Sequence, residues 1–240
     1  MKKIVVTTFS LCVLATAAHA QSSRAPWQFW EIGVAAGAMN YSGDLAENQL
    51  VPSMTRIGGG VFGRYNFGGQ WSARAQILVG KISGDDNTSE THIKRSFRFD
   101  TRLTEIGLTG EWRPLASERI ITPWTIATFF TPYAFGGISA TLGKPNVTYY
   151  GNPDLRPVFT RGGLPEDSQP TTFVAIPFGL GVRFDIDDQF VLAGEFGARP
   201  VLSDRIDGVS LNGNPDRRDW YYFAGLNFSY VFGIKKFKGY

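Results

Sequence analysis

The stretch VAIPFGLGVRFD, residues 174–185, alternates large apolar residues with small or charged ones. Successive side chains of a β-strand point to opposite faces, so this pattern predicts a strand with one apolar face and one face of glycine and charge. Glycine weakens a strand that merely faces water. Because these glycines share a strand face with Arg183, they instead favour a crowded interior, in which long charged side chains need small neighbours.

Seven further segments show a period of two or the composition of a strand, at residues 30–41, 55–67, 71–82, within 96–113, 131–143, 190–200 and 220–232. The segment 131–143 has no clean phase. In most of the others, glycine shares its face with the charges, whereas a soluble β-sandwich or lipocalin-like barrel would turn its charges outward. The sequence therefore predicts an all-β fold, an eight-stranded antiparallel transmembrane β-barrel of the outer membrane, with its apolar face toward lipid.

Connection lengths support the same topology. The links at 68–70 and 186–189 are short, whereas those at 42–54, 83–95, 144–170 and 201–219 are long and polar. Short periplasmic turns that alternate with long external loops are typical of outer-membrane barrels. The link at 114–130 is the exception, a longer periplasmic connection by this count.

The N-terminal residues have the pattern of an export signal. Two lysines precede an apolar run that closes on Ala18-His19-Ala20, which predicts a signal peptide at 1–20. We expect a short periplasmic segment at 21–29, the barrel at 30–232 and a basic periplasmic tail at 233–240. Cys12 leaves with the signal, so thiolate chemistry is excluded from the mature chain. Removing Lys2 and Lys3 leaves 22 basic against 21 acidic residues, which gives no argument for nucleic acid as a partner.

Eight charged residues fall on the predicted lumen face, and their signs balance, with four acidic and four basic residues. A channel usually carries an excess of one sign, so balanced pairs in a narrow barrel favour a closed, salt-bridged plug. This lumen charge network, a structural prediction, consists of Glu31, Arg64, Arg74, Glu105, Glu111, Arg183, Glu195 and Arg199.

The last strand ends with aromatic residues at alternate positions. Gly225, Phe228, Tyr230 and Phe232 resemble the terminal signal that the barrel-assembly machinery recognises, so that machinery and outer-membrane lipid are expected partners.

Catalytic and ligand-binding patterns are weak. His92, in a predicted external loop, is the only histidine of the mature chain and so the only imidazole base. Acidic clusters at 85–87 and 204–207 offer oxygen ligands for calcium, but such clusters are more often hydrated loop residues. The G-x-G-x-x-G match at 58–63 lies inside a strand with no helix after it. We predict no catalytic residue, no metal site and no cofactor.

An ordered series of motifs carries a family resemblance: NYSGDL at 40–45, RYNF at 64–67, GKISGDD at 80–86, TPYAFGGI at 131–138, AIPFGLGV at 175–182, EFGAR at 195–199 and DWYYFAG at 219–225. The series resembles the PorG-like outer-membrane barrels of Bacteroidota. That resemblance implies a component of the type IX protein secretion system, associated with gliding in some members. It also implies contact with the periplasmic ring of PorK-like and PorN-like proteins.

We therefore expect a non-enzymatic barrel that anchors or organises the periplasmic secretion ring. One alternative is an outer-membrane enzyme that modifies lipid or cleaves protein through the loop around His92. Another is a narrow channel or a surface adhesin that acts through the long external loops.

Overall fold

The structure, a computed structural model, describes residues 28–42, 52–68, 70–85, 97–115, 130–151, 171–186, 189–202 and 219–235. These ranges hold one turn of 3-10 helix, Pro52–Met54, and nine strands. The strands are β1 (Gln28–Ser42), β2 (Arg56–Gly68), β3 (Trp71–Asp85), β4 (Phe97–Trp112), β5 (Phe130–Tyr149), β6 (Thr171–Ala175), β7 (Phe178–Asp185), β8 (Phe190–Pro200) and β9 (Trp220–Lys235). Within them, no helix is long and apolar enough to span a membrane.

The strands close into a ring of antiparallel neighbours. β1 pairs with both β2 and β9, and pairing of β4 with β5 joins the two halves of the sheet. One path of paired residues runs from Trp30 through Tyr65, Ala73, Gly110, Gly136, Phe178, Ala198 and Tyr222 to Asn40. The path returns to β1 ten residues from its start, and a stagger of this size over eight strand positions tilts the strands by about 40°. The predicted all-β barrel is confirmed.

The predicted strand 174–185 is interrupted at Ile176 and Pro177, which separate β6 from β7. Proline has no N–H to donate to a ladder. The register nevertheless continues, because Ser139 pairs with Ala175 and Gly136 with Phe178, three residues along each strand. The Gly137 N–H donates to the Pro177 carbonyl across the gap at 2.9 Å. β6 and β7 together occupy one of eight positions.

β5 has a clean phase after all, and its start reverses the expected rule of large residues outside. Tyr133 and Phe135 are buried toward the lumen, whereas Ala134 is half-buried and Gly136 exposed on the outside. The sequence showed no phase here because the size pattern is inverted. β5 also continues to Tyr149, six residues past the predicted end.

The outside of the barrel is apolar, with residues such as Ile32, Val61 and Leu108 more than half exposed. An aromatic belt surrounds the end at which β1 begins. Its contacts are Trp30–Tyr65, Trp71–Trp112, Phe130–Phe184 and Phe190–Tyr230, with ring centroids 4.6 to 6.3 Å apart. An apolar wall with an aromatic girdle and a polar interior is the architecture of a bacterial outer-membrane barrel, so the predicted location is confirmed.

The belted end also carries the short connections from β2 to β3 and from β7 to β8. By the rule that short turns face the periplasm, this is the periplasmic end. Both ends of the barrel sheet, the start of β1 and the end of β9, lie there, since Gln28 pairs with Lys235. β9 thus extends three residues past 232, into the range expected to be tail.

Candidate functional site in the barrel lumen

All eight residues of the lumen charge network are buried inside the barrel. Each has 7% or less of its surface exposed. The inward phase of β1, β2, β3, β4, β7 and β8 brings them together, and the structure arranges them in two groups. A periplasmic group contains Glu31, Arg64, Arg74, Glu111, Arg183 and Glu195, and an outer pair contains Glu105 and Arg199.

Glu31 on β1 is the acceptor for two arginines. Its Oε2 lies 2.7 Å from Arg64 Nη1, and its Oε1 lies 2.7 Å from Arg183 Nη1. Asn66 and Ser229 donate further hydrogen bonds to it at 2.9 and 3.1 Å. Charges removed from water are stable only when paired and hydrogen-bonded, and Glu31 meets both conditions.

Glu111 on β4 likewise joins two arginines. Arg64 Nε lies 2.8 Å from its Oε2, and Arg74 Nε lies 3.3 Å from its Oε1. The Ser72 hydroxyl adds a hydrogen bond at 3.0 Å. Arg64 therefore links Glu31 to Glu111, and the periplasmic group is a continuous chain of alternating charges.

Arg74 on β3 extends this chain across the lumen to Glu195 on β8. Its Nη1 and Nη2 lie 2.5 and 3.2 Å from the two carboxylate oxygens, a bidentate geometry. The Tyr133 hydroxyl and the Asn227 amide also donate to Glu195, at 3.1 and 3.0 Å.

The outer pair is held separately. Arg199 Nε lies 2.9 Å from Glu105 Oε2, to which the Tyr221 hydroxyl also donates at 2.6 Å. Gln76 donates to the other carboxylate oxygen at 2.8 Å. Tyr221 and Phe223 lie 5.9 and 5.5 Å from the Arg199 guanidinium as cation–π partners.

Glycine makes room for the inward aromatic rings. A Cβ at Gly181 would lie 2.3 Å from Tyr133 Cζ, and one at Gly33 would lie 2.5 Å from Phe62 Cζ. Neither position has space for a side chain. The excess of glycine on the predicted lumen face is thus explained by aromatic rings as well as by arginines.

An apolar layer surrounds the Glu105–Arg199 pair and continues toward the external end of the lumen, and sequence reasoning missed it. Its large members are completely or almost completely buried: Met39, Tyr41, Leu78, Ile82, Phe99, Leu103, Phe173, Tyr221 and Phe223. Apolar residues were assigned to the lipid face, but here they lie in phase with the charges. The inward phase of β1, continued from Glu31 to Met39 and Tyr41, would have revealed them.

Arg113, directly after β4, is a second residue that the sequence analysis missed. It continues the inward phase of Glu111 and is 7% exposed. Its Nε has no hydrogen-bond partner. Burial, together with the charges of Arg183 and Arg64, lowers the pKa of its guanidinium to about 10, so Arg113 carries its positive charge at neutral pH.

Gln70, in the turn between β2 and β3, binds the chain where it leaves β4. Its carbonyl accepts from the Arg113 backbone N–H at 2.8 Å, and its Nε2 donates to the Pro114 carbonyl at 3.0 Å. The Trp112 indole donates to its Oε1 at 3.3 Å. This clamp fixes the direction in which the 114–130 connection departs.

The four residues predicted to form the assembly signal lie on β9. Phe228, Tyr230 and Phe232 are exposed on the lipid face, and Gly225 faces Gly37 of β1. His92 and the cluster at 204–207 lie outside the described residues. Across the described strands and turns, no group of three or more histidine, cysteine or acidic residues is arranged to hold a metal ion.

A family model described as "Domain of unknown function (DUF6089)" matches residues 3–237, and the chain belongs to this family. No curated protein matches the sequence significantly.

Solved outer-membrane proteins are similar at low identity. They include Ail, the attachment invasion locus protein of Yersinia pestis (14% identity, TM-score 0.42, covering 86% of this chain and 99% of that chain). Neisserial surface protein A has 10% identity, a TM-score of 0.44 and coverage of 86% and 97%. OprG from Pseudomonas aeruginosa has 12% identity, a TM-score of 0.39 and coverage of 88% and 98%. The assignment of this chain to a β-barrel fold rests on its own strand pairing.

Proposed function

We propose that this outer-membrane barrel is non-enzymatic and that it anchors or organises a periplasmic assembly of the type IX protein secretion system. The proposal joins two grounds. The resemblance to PorG-like barrels supplies the secretion system and its PorK-like and PorN-like ring proteins. The geometry of the lumen supplies the reason why the barrel would act as an anchor.

The observation that carries the anchor role is the bridging of the lumen by ion pairs. Arg74–Glu195, Arg183–Glu31 and Arg199–Glu105 each join strands on different sides of the ring. A solute could pass only if buried pairs separated, which would leave uncompensated charges in a narrow interior. The apolar layer closes the outer half as well. A barrel without an open path acts through its ends.

Several features of the periplasmic end favour it over the external end as the place where a partner binds. The start of β1, the end of β9 and the two short turns all lie there. The Gln70 clamp holds the first residues of the 114–130 connection against a neighbouring turn. A fixed turn at the same end as the start of β1 and the end of β9 gives a periplasmic partner several contact points on a rigid support.

The proposal is tested in cells that encode the protein and a type IX secretion system. The gene is deleted, and the secretion of proteins with a type IX sorting domain is measured together with the amount of ring proteins that co-sediment with the outer membrane. We expect secretion to fall and the ring proteins to dissociate from the outer membrane. Complementation with the wild-type gene is the control. Normal secretion with a normally attached ring would refute the proposal.

A further inference from the structure

Arg113 differs from the other described arginines at the periplasmic end of the lumen, because no described carboxylate forms an ion pair with it. Arg64 is paired with Glu31 and Glu111, Arg74 with Glu195, and Arg183 with Glu31 and Asp185. Arg113 is 7% exposed as a residue, its guanidinium forms no salt bridge with a described carboxylate, and its Nε has no hydrogen-bond partner. A buried cation in this state lacks the compensation that its neighbours have.

The carboxylates whose charges act on Arg113 are already paired with other arginines. Glu31 and Glu111 are the acidic residues that act on it. Each of them accepts from two other arginines and from a serine. Shifting either toward Arg113 would break an existing ion pair. An anion that pairs with Arg113 would therefore have to come from outside this network.

The guanidinium and its setting determine which kind of ligand would bind Arg113. Arginine presents a planar fork of donors that matches a carboxylate in two parallel hydrogen bonds. Arg183 and Arg64 add positive charge nearby, which further favours an oxyanion. The Gln70 carbonyl accepts from the Arg113 backbone N–H at 2.8 Å, so the backbone that carries the side chain is held in place before any ligand arrives.

We propose that Arg113 is the receptor for a carboxylate that a periplasmic protein partner inserts into the periplasmic mouth of the lumen. The inference rests on the proposed function, because that function places a protein assembly at this end. It adds the chemical nature of the contact, an acidic side chain or a C-terminal carboxylate.

The site is tested on the complete mature chain reconstituted in lipid nanodiscs. The probe is a fluorescent peptide of six glutamates, and the six-glutamine peptide controls for the backbone. We expect the glutamate peptide to bind, Arg113→Gln to weaken it about tenfold or more, and Arg113→Lys to weaken it less. Arg98→Gln, at the opposite end of β4, is the matched loss of charge and should leave binding unchanged. Heat-dependent migration on gels verifies that each variant is folded.

Three results would overturn the inference: equal binding of the glutamate and glutamine peptides, no loss of binding in Arg113→Gln, or displacement of the peptide by an equal concentration of inorganic phosphate. The last result would indicate an adventitious ion only.

Cross-linking in cells separates this inference from the proposed function. If ring proteins cross-link to wild type and to Arg113→Gln equally, the anchor role stands and the carboxylate contact fails. If the glutamate peptide binds through Arg113 but no ring protein cross-links, the anchor role fails and the acceptor site stands.

Discussion

Arg74 on β3 and Glu195 on β8 bind each other across the full width of the barrel, with Nη1 2.5 Å from Oε2. The two strands are four positions apart in either direction around the ring, so the pair joins opposite walls. Both side chains are 2% exposed. The contact does what a sheet ladder cannot, since it fixes the distance between strands that share no backbone hydrogen bond.

Removing one partner of this pair should destabilise the barrel strongly. Arg74→Met leaves Glu195 buried without its bidentate partner, for which we expect a loss of about 3–5 kcal/mol in the free energy of unfolding. Unfolding by urea in lipid vesicles, followed by tryptophan fluorescence, measures it. Arg98→Gln, an exposed arginine on β4, should change stability by less than about 0.5 kcal/mol.

The double variant Arg74→Met/Glu195→Met tests whether the instability of Arg74→Met comes from the unpaired charge of buried Glu195. It removes both charges and should recover most of the stability that Arg74→Met loses, because buried ion pairs are often replaceable by apolar residues. A double variant that is less stable than Arg74→Met would contradict this account, and would assign the damage to the lost packing of Tyr133 and Phe135 around the pair.

The pairing of Arg74 with Glu195 shows where sequence reasoning succeeds in this chain and where it ends. A period of two assigns both residues to the lumen, because phase is a local property of each strand. It cannot identify the partner, which depends on the stagger of the whole ring.

The phase of the strands also marks inward residues beyond the predicted set. Arg113 continues the alternation of Glu111 by one step, and Met39 and Tyr41 continue that of Glu31, so the signal for both was present. Tyr133 and Phe135 are different, because their inward rings reverse the expected sizes of the two faces and fit only where Gly181 and Gly179 on β7 have no Cβ. The pairing of β5 with β7 joins two separate segments, so the sequence of either segment alone does not reveal it.

The two layers of the lumen predict how the barrel behaves in a planar bilayer. The wild-type chain should give no steady conductance, because the ion pairs and the apolar layer each close the path. Truncation of one layer, by Phe99→Ala with Phe173→Ala, should leave the ionic layer intact and the barrel closed. Adding alanine at both members of all three bridging pairs, Arg74 with Glu195, Arg183 with Glu31 and Arg199 with Glu105, should produce measurable conductance. Discrete, ion-selective openings of the wild type would contradict the closed lumen.

On the lipid face, the stability lost when a charge is added should depend on how deep the residue lies in the bilayer. Val61 pairs with both Val34 and Ile77 near the middle of their strands. Ile77→Arg should therefore place a charge near the bilayer centre and reduce stability by about 2–4 kcal/mol. Ile57→Arg, at the external end of β2 and 87% exposed, should lose about 0–1 kcal/mol. Equal losses in urea unfolding from vesicles would show that the two residues do not differ in depth.

Two adjacent glycines on β5 provide a test of the barrel's inner and outer surfaces. A Cβ at Gly137 would lie 2.0 Å from the Leu108 carbonyl oxygen and 2.7 Å from the Thr109 Cα, and this backbone belongs to the paired strand β4 and cannot move aside easily. Gly136→Ala meets nothing within 4 Å. We expect Gly137→Ala to lose about 1–3 kcal/mol. Gly136→Ala should be neutral or gain up to about 1 kcal/mol, because alanine restricts the unfolded chain. The same vesicle unfolding measures both, and a Gly136→Ala variant as damaged as Gly137→Ala would show that the close approach of β4 to β5 is not what excludes a side chain at Gly137.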